Sequence, residues 1–148
     1  MAVLMKAKTS LTSINLSPSF AGLSNSSFKK IGEMTQLTHL AVGGGKLEPG
    51  GISALASLTE LKTLKIPDIG AHSYDIPMAK LVDLFSKLKK LEKVEIKMED
   101  NCPSDEVVKS LLNNNPNLHH LDITISRCLA NAYHDIDVLS SSSLCNTA

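Results

Sequence analysis

The sequence predicts an α/β fold made of repeated strand–helix units, with a parallel sheet on one side and helices on the other. Three observations predict it. A short motif recurs five times: a leucine, two residues, an aliphatic, one residue and a second aliphatic. Segments with helical apolar spacing lie between the copies. The 148 residues include twenty-two leucines but only three Phe, two Tyr and no Trp. A core filled almost wholly by Leu, Ile and Val suits identical slots repeated many times better than one centre packed with large rings.

The five copies are Leu11-Thr12-Ser13-Ile14-Asn15-Leu16, Leu37-Thr38-His39-Leu40-Ala41-Val42, Leu61-Lys62-Thr63-Leu64-Lys65-Ile66, Leu91-Glu92-Lys93-Val94-Glu95-Ile96 and Leu118-His119-His120-Leu121-Asp122-Ile123. Successive copies are 26, 24, 30 and 27 residues apart. The last two aliphatics of each copy sit two apart, so both point to one side of an extended strand and the residues between point to the other. Strands are therefore expected near 11–16, 37–42, 61–66, 91–96 and 118–123. Each is too short to stand alone; side by side and parallel they form a ribbon with one buried and one wet face.

The intervals carry helix signals. Met78, Leu81, Val82 and Phe85 follow i, i+3, i+4, i+7, one face of a helix. Ser104 is placed to cap a helix whose first turn holds Asp105 and Glu106, where negative charge favours the N-terminus. Val107, Val108, Leu111 and Leu112 continue that helix as a stripe, and Asn113 to Pro116 stop it. Weaker patterns at Phe28, Ile31 and Met34, at Ile52, Leu55 and Leu58, and at Tyr133, Ile136 and Leu139 give further short helices.

Strand, loop, helix and loop at this spacing resemble the leucine-rich repeat family over about residues 11 to 139. The long helical spacers are most similar to the ribonuclease-inhibitor and F-box types. The phrase Asn115-Pro116-Asn117-Leu118-His119-His120-Leu121-Asp122-Ile123 is similar to the strand entry of F-box leucine-rich proteins. The resemblance implies a solenoid, or horseshoe, with the parallel sheet on its concave side and helices on its convex side. The whole chain, 1–148, then forms one repeat domain. The family's usual loop Asn or Cys, three residues after the last strand aliphatic, is replaced here by Ser19, Gly45, Ile69, Glu99 and Ser126, which implies an irregular loop ladder. No F-box-like helical segment precedes the repeats, so a chain of that class is either a fragment of a longer protein or has lost its adaptor-binding part.

Fifteen basic and fifteen acidic residues give a net charge of zero, which supplies no general pull towards nucleic acid or anionic membrane. Fourteen of the fifteen basic residues are Lys, and Arg127 alone carries the bidentate fork suited to phosphate. No apolar run approaches the ~20 residues of a membrane span. Cys102, Cys128 and Cys145 are odd in number and lack a CxxC pair, which fits reduced thiols in a cytoplasmic or nuclear protein. Residues 1 to 32 contain no acid and include Lys6 and Lys8 among Ser and Thr, a composition like that of an organellar transit peptide. The competing reading makes Leu11, Ile14 and Leu16 the first strand, and the 26-residue step to Leu37 favours it. No cap sequence is evident at either end, although solenoids need polar caps; the ends therefore belong to a longer array or dock onto something.

Catalytic and metal signals are weak. Gly43-Gly44-Gly45-Lys46 lacks the spacing of a phosphate-binding loop and reads as a connector. His119 and His120 are adjacent on a strand and face opposite ways, so they share no ion easily, and no cofactor is implied. No nucleophile elbow is present. The expected working surface is the exposed strand face. One row across it is Ser13, His39, Thr63, Lys93 and His120; the next is Asn15, Ala41, Lys65, Glu95 and Asp122; a third is Ser17, Gly43, Pro67, Lys97 and Thr124. The first two repeats offer small uncharged groups and the last three offer charge. This face reads either as a solvated surface of self-neutralising cross-strand pairs or as a docking surface for a protein partner. In the second reading the binding residues are His39, Thr63, Lys65, Lys93, Glu95, Lys97, His120, Asp122 and Thr124. The resemblance implies a non-enzymatic module that recognises substrates for a ubiquitin ligase. An inhibitor or immune-sensor module on the same scaffold, or an organelle-targeted one, is the alternative.

Overall fold

Each strand entry is fixed by one carbonyl that accepts two N–H groups from the next strand entry. Thr12 O takes Thr38 N–H and His39 N–H at 2.8 and 3.1 Å, and Thr38 O takes Lys62 N–H and Thr63 N–H at 2.7 and 3.0 Å. Lys62 O and Glu92 O repeat the arrangement with the residue pairs Glu92/Lys93 and His119/His120. These forks set the phase of the sheet. The computed structural model describes residues 10–16, 23–42, 47–69, 77–99 and 103–126. Within them lie β1 (Ser13–Leu16), α1 (Asn25–Gly32), β2 (His39–Val42), α2 (Pro49–Leu55), β3 (Thr63–Ile69), α3 (Met78–Lys87), β4 (Lys93–Glu99), α4 (Asp105–Asn114) and β5 (His120–Ser126).

The fold is α/β. The five strands form one parallel sheet in chain order, β1-β2-β3-β4-β5. Each strand starts two residues after the motif leucine. Leu37, Leu61 and Leu91 still bury completely, but in the approach to the strand rather than on its pleat. β3, β4 and β5 also run three residues past the motif, so Ile69, Glu99 and Ser126 end strands instead of lying in loops. The pairing of β3 with β4 slips by one residue after Ile66, where Ile69 meets Met98. Pro67 has no N–H to give the ladder there, the usual reason a strand bulges at proline.

The helices close one side of the sheet. α1 buries Phe28 and Ile31 and keeps Lys29 and Lys30 in its last turn, where positive charge suits the helix C-terminus. α2 starts on Pro49, whose missing N–H costs nothing at a first turn. Leu81, Leu84 and Phe85 line α3, and Val107 and Leu111 line α4. Consecutive helices pack against one another. α1 and α2 touch at Gly32, where an added Cβ would lie 2.4 Å from the Ala54 carbonyl oxygen. Ser110 Oγ donates to Val82 O at 3.1 Å and ties α4 to α3. Met34 and Leu58 bury just beyond their helices rather than inside them. Ser104 does occupy the N-cap position of α4, but its hydroxyl makes no capping bond and is buried without a partner. Residues 127–148, with the helix expected at Tyr133, Ile136 and Leu139, lie outside the described residues, as do all three cysteines.

One buried polar side chain departs from the repeat. Three residues before the motif leucine stand Met34, Leu58 and Leu88, all buried, and the matching residue of the fifth copy is Asn115, only 2% exposed. Leu37, Leu61 and Leu118 each donate their N–H to the carbonyl three residues back, at 3.0 Å. Leu91 has no such turn because Leu88 is extended. Its N–H instead meets Asn115 Oδ1 at 2.9 Å, while Asn115 Nδ2 donates to Leu111 O at 2.9 Å. The asparagine thus repairs the fourth copy from the fifth.

Leu64→Ala, at a site with no exposure, is expected to cost about 2–5 kcal/mol in urea unfolding. Leu121→Ala should cost less, because Leu121 only borders the core. Asn115→Leu restores the apolar residue of the other copies yet is expected to destabilise the chain by about 1–3 kcal/mol, since it strands the buried Leu91 N–H. A midpoint equal to or above that of the unaltered chain would contradict the repair role.

Candidate functional site

The face of the sheet opposite the helices carries the candidate site, and strict pairing creates it. Ser13 pairs with His39, His39 with Thr63, Thr63 with Lys93 and Lys93 with His120. Two residues along, Asn15, Ala41, Lys65, Glu95 and Asp122 form the next unbroken row. Of the third row, Lys97 pairs with Thr124 and both are exposed. Ser17 and Gly43 lie outside the described residues, and Pro67, expected opposite Lys97, falls instead in the register shift between Ile66 and Ile69 and is not paired with it. The intervening Ile14, Leu40, Leu64 and Val94 are buried, as an alternating strand requires.

All nine expected docking residues therefore share one face, but not one neighbourhood. His39, on β2, is drawn to its own chain: its Nδ1 lies 2.8 Å from Thr38 Oγ1. Thr63 is half-buried between His39 and Lys93. The charged residues gather over β3, β4 and β5. Lys65, Glu95, Lys97, Asp122 and Thr124 line an open depression of about 190 Å³, floored by Ile66 and Ile96.

Glu95 is the hub of this region. Lys65 Nζ lies 2.6 Å from its Oε2 and Lys93 Nζ 2.7 Å from its Oε1. His120 Nε2 stands 3.8 Å from Oε1. The Glu95 side chain is only 22% exposed. The hydrogen bonds from Lys65 and then Lys93 pull its carboxyl down to about 2 against the opposing effect of burial. The same contact raises the Lys65 ammonium above its ordinary range. Asp122 is treated differently. Its Oδ1 accepts the Thr124 hydroxyl at 3.1 Å, and its cross-strand neighbour is Glu95, another acid.

Further pairs flank the strand entries. Lys62 meets Glu92 at 2.9 Å, which lowers the Glu92 carboxyl and raises the Lys62 ammonium. Lys90 meets Glu60 at 2.7 Å. Both pairs bridge successive repeats. The sequence rows predicted the opposition of Lys65 and Glu95 but missed the convergence of Lys93 on the same carboxylate. The i, i+2 spacing of Lys93 and Glu95 was the available signal. His119 lies outside β5 with Nδ1 3.2 Å from Asn117 O. Among the described residues no three His, Cys, Asp or Glu side chains are grouped to hold a metal ion, and no helix is long and apolar enough to cross a membrane.

A carboxyl that titrates lower in the folded chain adds stability that is full above its unfolded value near 4.5 and lost as pH falls towards about 2. Lys65 and Lys93 are about half exposed, so solvent screening limits the gain to about 1–2 kcal/mol. Glu95→Gln is therefore expected to lower the urea midpoint at pH 7 and to match the unaltered chain near pH 2. An equal deficit at both pH values would mean that Glu95 acts through packing and not through charge.

Compared with models of protein families and with curated proteins, the chain matches none.

Proposed function

We propose that the chain is a non-enzymatic recognition module of leucine-rich-repeat type. Its sheet lines the inner side of a short horseshoe and receives a protein partner over β3, β4 and β5. One observation carries this reading: two in-phase rows of side chains, with Lys97 and Thr124 beyond them, stand on one continuous face, and charge is concentrated at one end of it. Repeat scaffolds present extended surfaces of this kind to partners. Strand order equal to chain order, with a helix between successive strands, supports the horseshoe. The ion pairs favour a positional mechanism. Groups already held in place lose little freedom on binding, and charge complementarity sets specificity and capture rate more than affinity. Resemblance to F-box leucine-rich proteins extends the proposal to substrate recognition for ubiquitin ligation, in the cytoplasm or nucleus. That step rests on likeness of fold.

The test compares crosslinked partners recovered with three forms of the chain. Thr63→Arg with Thr124→Arg places bulk on the sheet face; Lys80→Glu with Lys109→Glu changes exposed positions on the helices. Partners lost from the first variant and kept by the second, with melting temperatures within a few degrees of the unaltered chain, are the expected outcome. Retention by the first variant, or loss from the second, would refute a docking role for the sheet.

A further inference from the structure

The charged end of the sheet holds three lysines, Lys65, Lys93 and Lys97, against two acids, Glu95 and Asp122. Counting charges would make it a receptor for an acidic partner. The contacts reverse that expectation. Lys65 and Lys93 are both committed to Glu95, at 2.6 and 2.7 Å. A partner carboxylate could recruit either lysine only by taking it from a carboxylate that is itself mostly covered, and one left without its cations would be costly. Lys97 also has interactions within the chain.

Asp122 is the exception. Its Oδ1 is engaged by Thr124, and among the described residues no hydrogen bond or ion pair is found at its Oδ2. The residue paired with it across the sheet is Glu95, and like charges placed directly opposite repel. The Thr124 hydroxyl meanwhile fixes the carboxylate, a pre-organisation that reduces what binding must order. The depression beside it is walled by Lys65, Glu95, Lys97 and Thr124. Among the described charged groups on this face, Asp122 is the acid that no cation contacts directly; Lys65 acts on it only through space, and such a carboxylate favours a cation.

From this we infer that Asp122, positioned by Thr124, is the specificity-determining residue of the face, and that it selects a partner segment presenting a lysine or arginine side chain. The inference rests on the docking role proposed for the sheet and adds the chemistry of the occupant. Bound there, the cation lies beside both acids, while Lys65 and Lys93 stay on Glu95 and repel a second positive group on that side. The site therefore takes one basic residue and disfavours a run of them.

A phage-displayed library of random twelve-residue peptides, selected against the unaltered chain, supplies the probe. Binders are sorted by whether Thr63→Arg with Thr124→Arg abolishes their capture. Face-directed binders are expected to share a single Lys or Arg. Changing that residue to Ala should weaken them about ten-fold, as should Asp122→Asn in the protein, the scale of one charge pair shielded from water. Glu95→Gln frees Lys65 and Lys93 and should turn selection towards acidic peptides. Face-directed binders that carry Glu or Asp, or that ignore Asp122→Asn, would overturn the inference while leaving the docking role intact. A library yielding no face-directed binder would overturn both.

Discussion

The structure depends on keeping five strands in phase. Side chains alternate across a strand with a period of two, so a slip of one residue between neighbours would send a core leucine into water and a lysine into the core. The forked hydrogen bonds at Thr12, Thr38, Lys62 and Glu92 prevent that slip at every strand entry. The phase they set carries through Ser13, His39, Thr63, Lys93 and His120 with no offset. The irregularity at Pro67 comes after this frame is established. It breaks the third row between β3 and β4 without disturbing the first two rows of the candidate site.

The same phase makes a polar surface out of residues that are far apart in the chain. Lys65 and Glu95 are neighbours because Thr63 pairs with Lys93 two residues earlier. Lys93 and Glu95 are neighbours because they alternate on one strand. Folding brings the three charges together, and each pair borrows its geometry from the backbone. Little side-chain order has to be gained beyond what the sheet imposes, although solvent still limits the strength of such pairs.

The pattern of aliphatics made most of this legible. Two residues at fixed spacing in each copy identified the buried face, and the polar residue between them identified the exposed rows, because strand alternation leaves no third choice. Strand limits were less legible. The motif leucine packs in the core like a strand residue while belonging to the turn before it, and nothing in its side chain separates those two roles. Asn115 was hidden for a related reason. A run of Asn113, Asn114, Asn115 and Pro116 reads as a helix stop, and only the extended backbone at Leu88, 27 residues earlier, gives one of those asparagines a buried partner. Ser104 misled in the opposite sense. Its residue type promised a capping bond, but burial of its hydroxyl left it without one.

Glu95 and Asp122 show how identical chemistry diverges by position. Both are carboxylates in one row on adjacent strands. Glu95 lies between Lys65 on β3 and Lys93 on its own strand, so its charge is answered from two sides. Asp122 stands on β5, with Glu95 on the side of β4 and no strand beyond it among the described residues. Had lysine occupied position 122, the row would run positive, negative, positive and close on itself. With aspartate there, the row ends on two like charges. Among the described residues, the β3–β5 end is consequently ion-paired at its centre and without a contacting cation at its edge. A surface of that kind discriminates through the one group left over, whatever the excess of lysines around it.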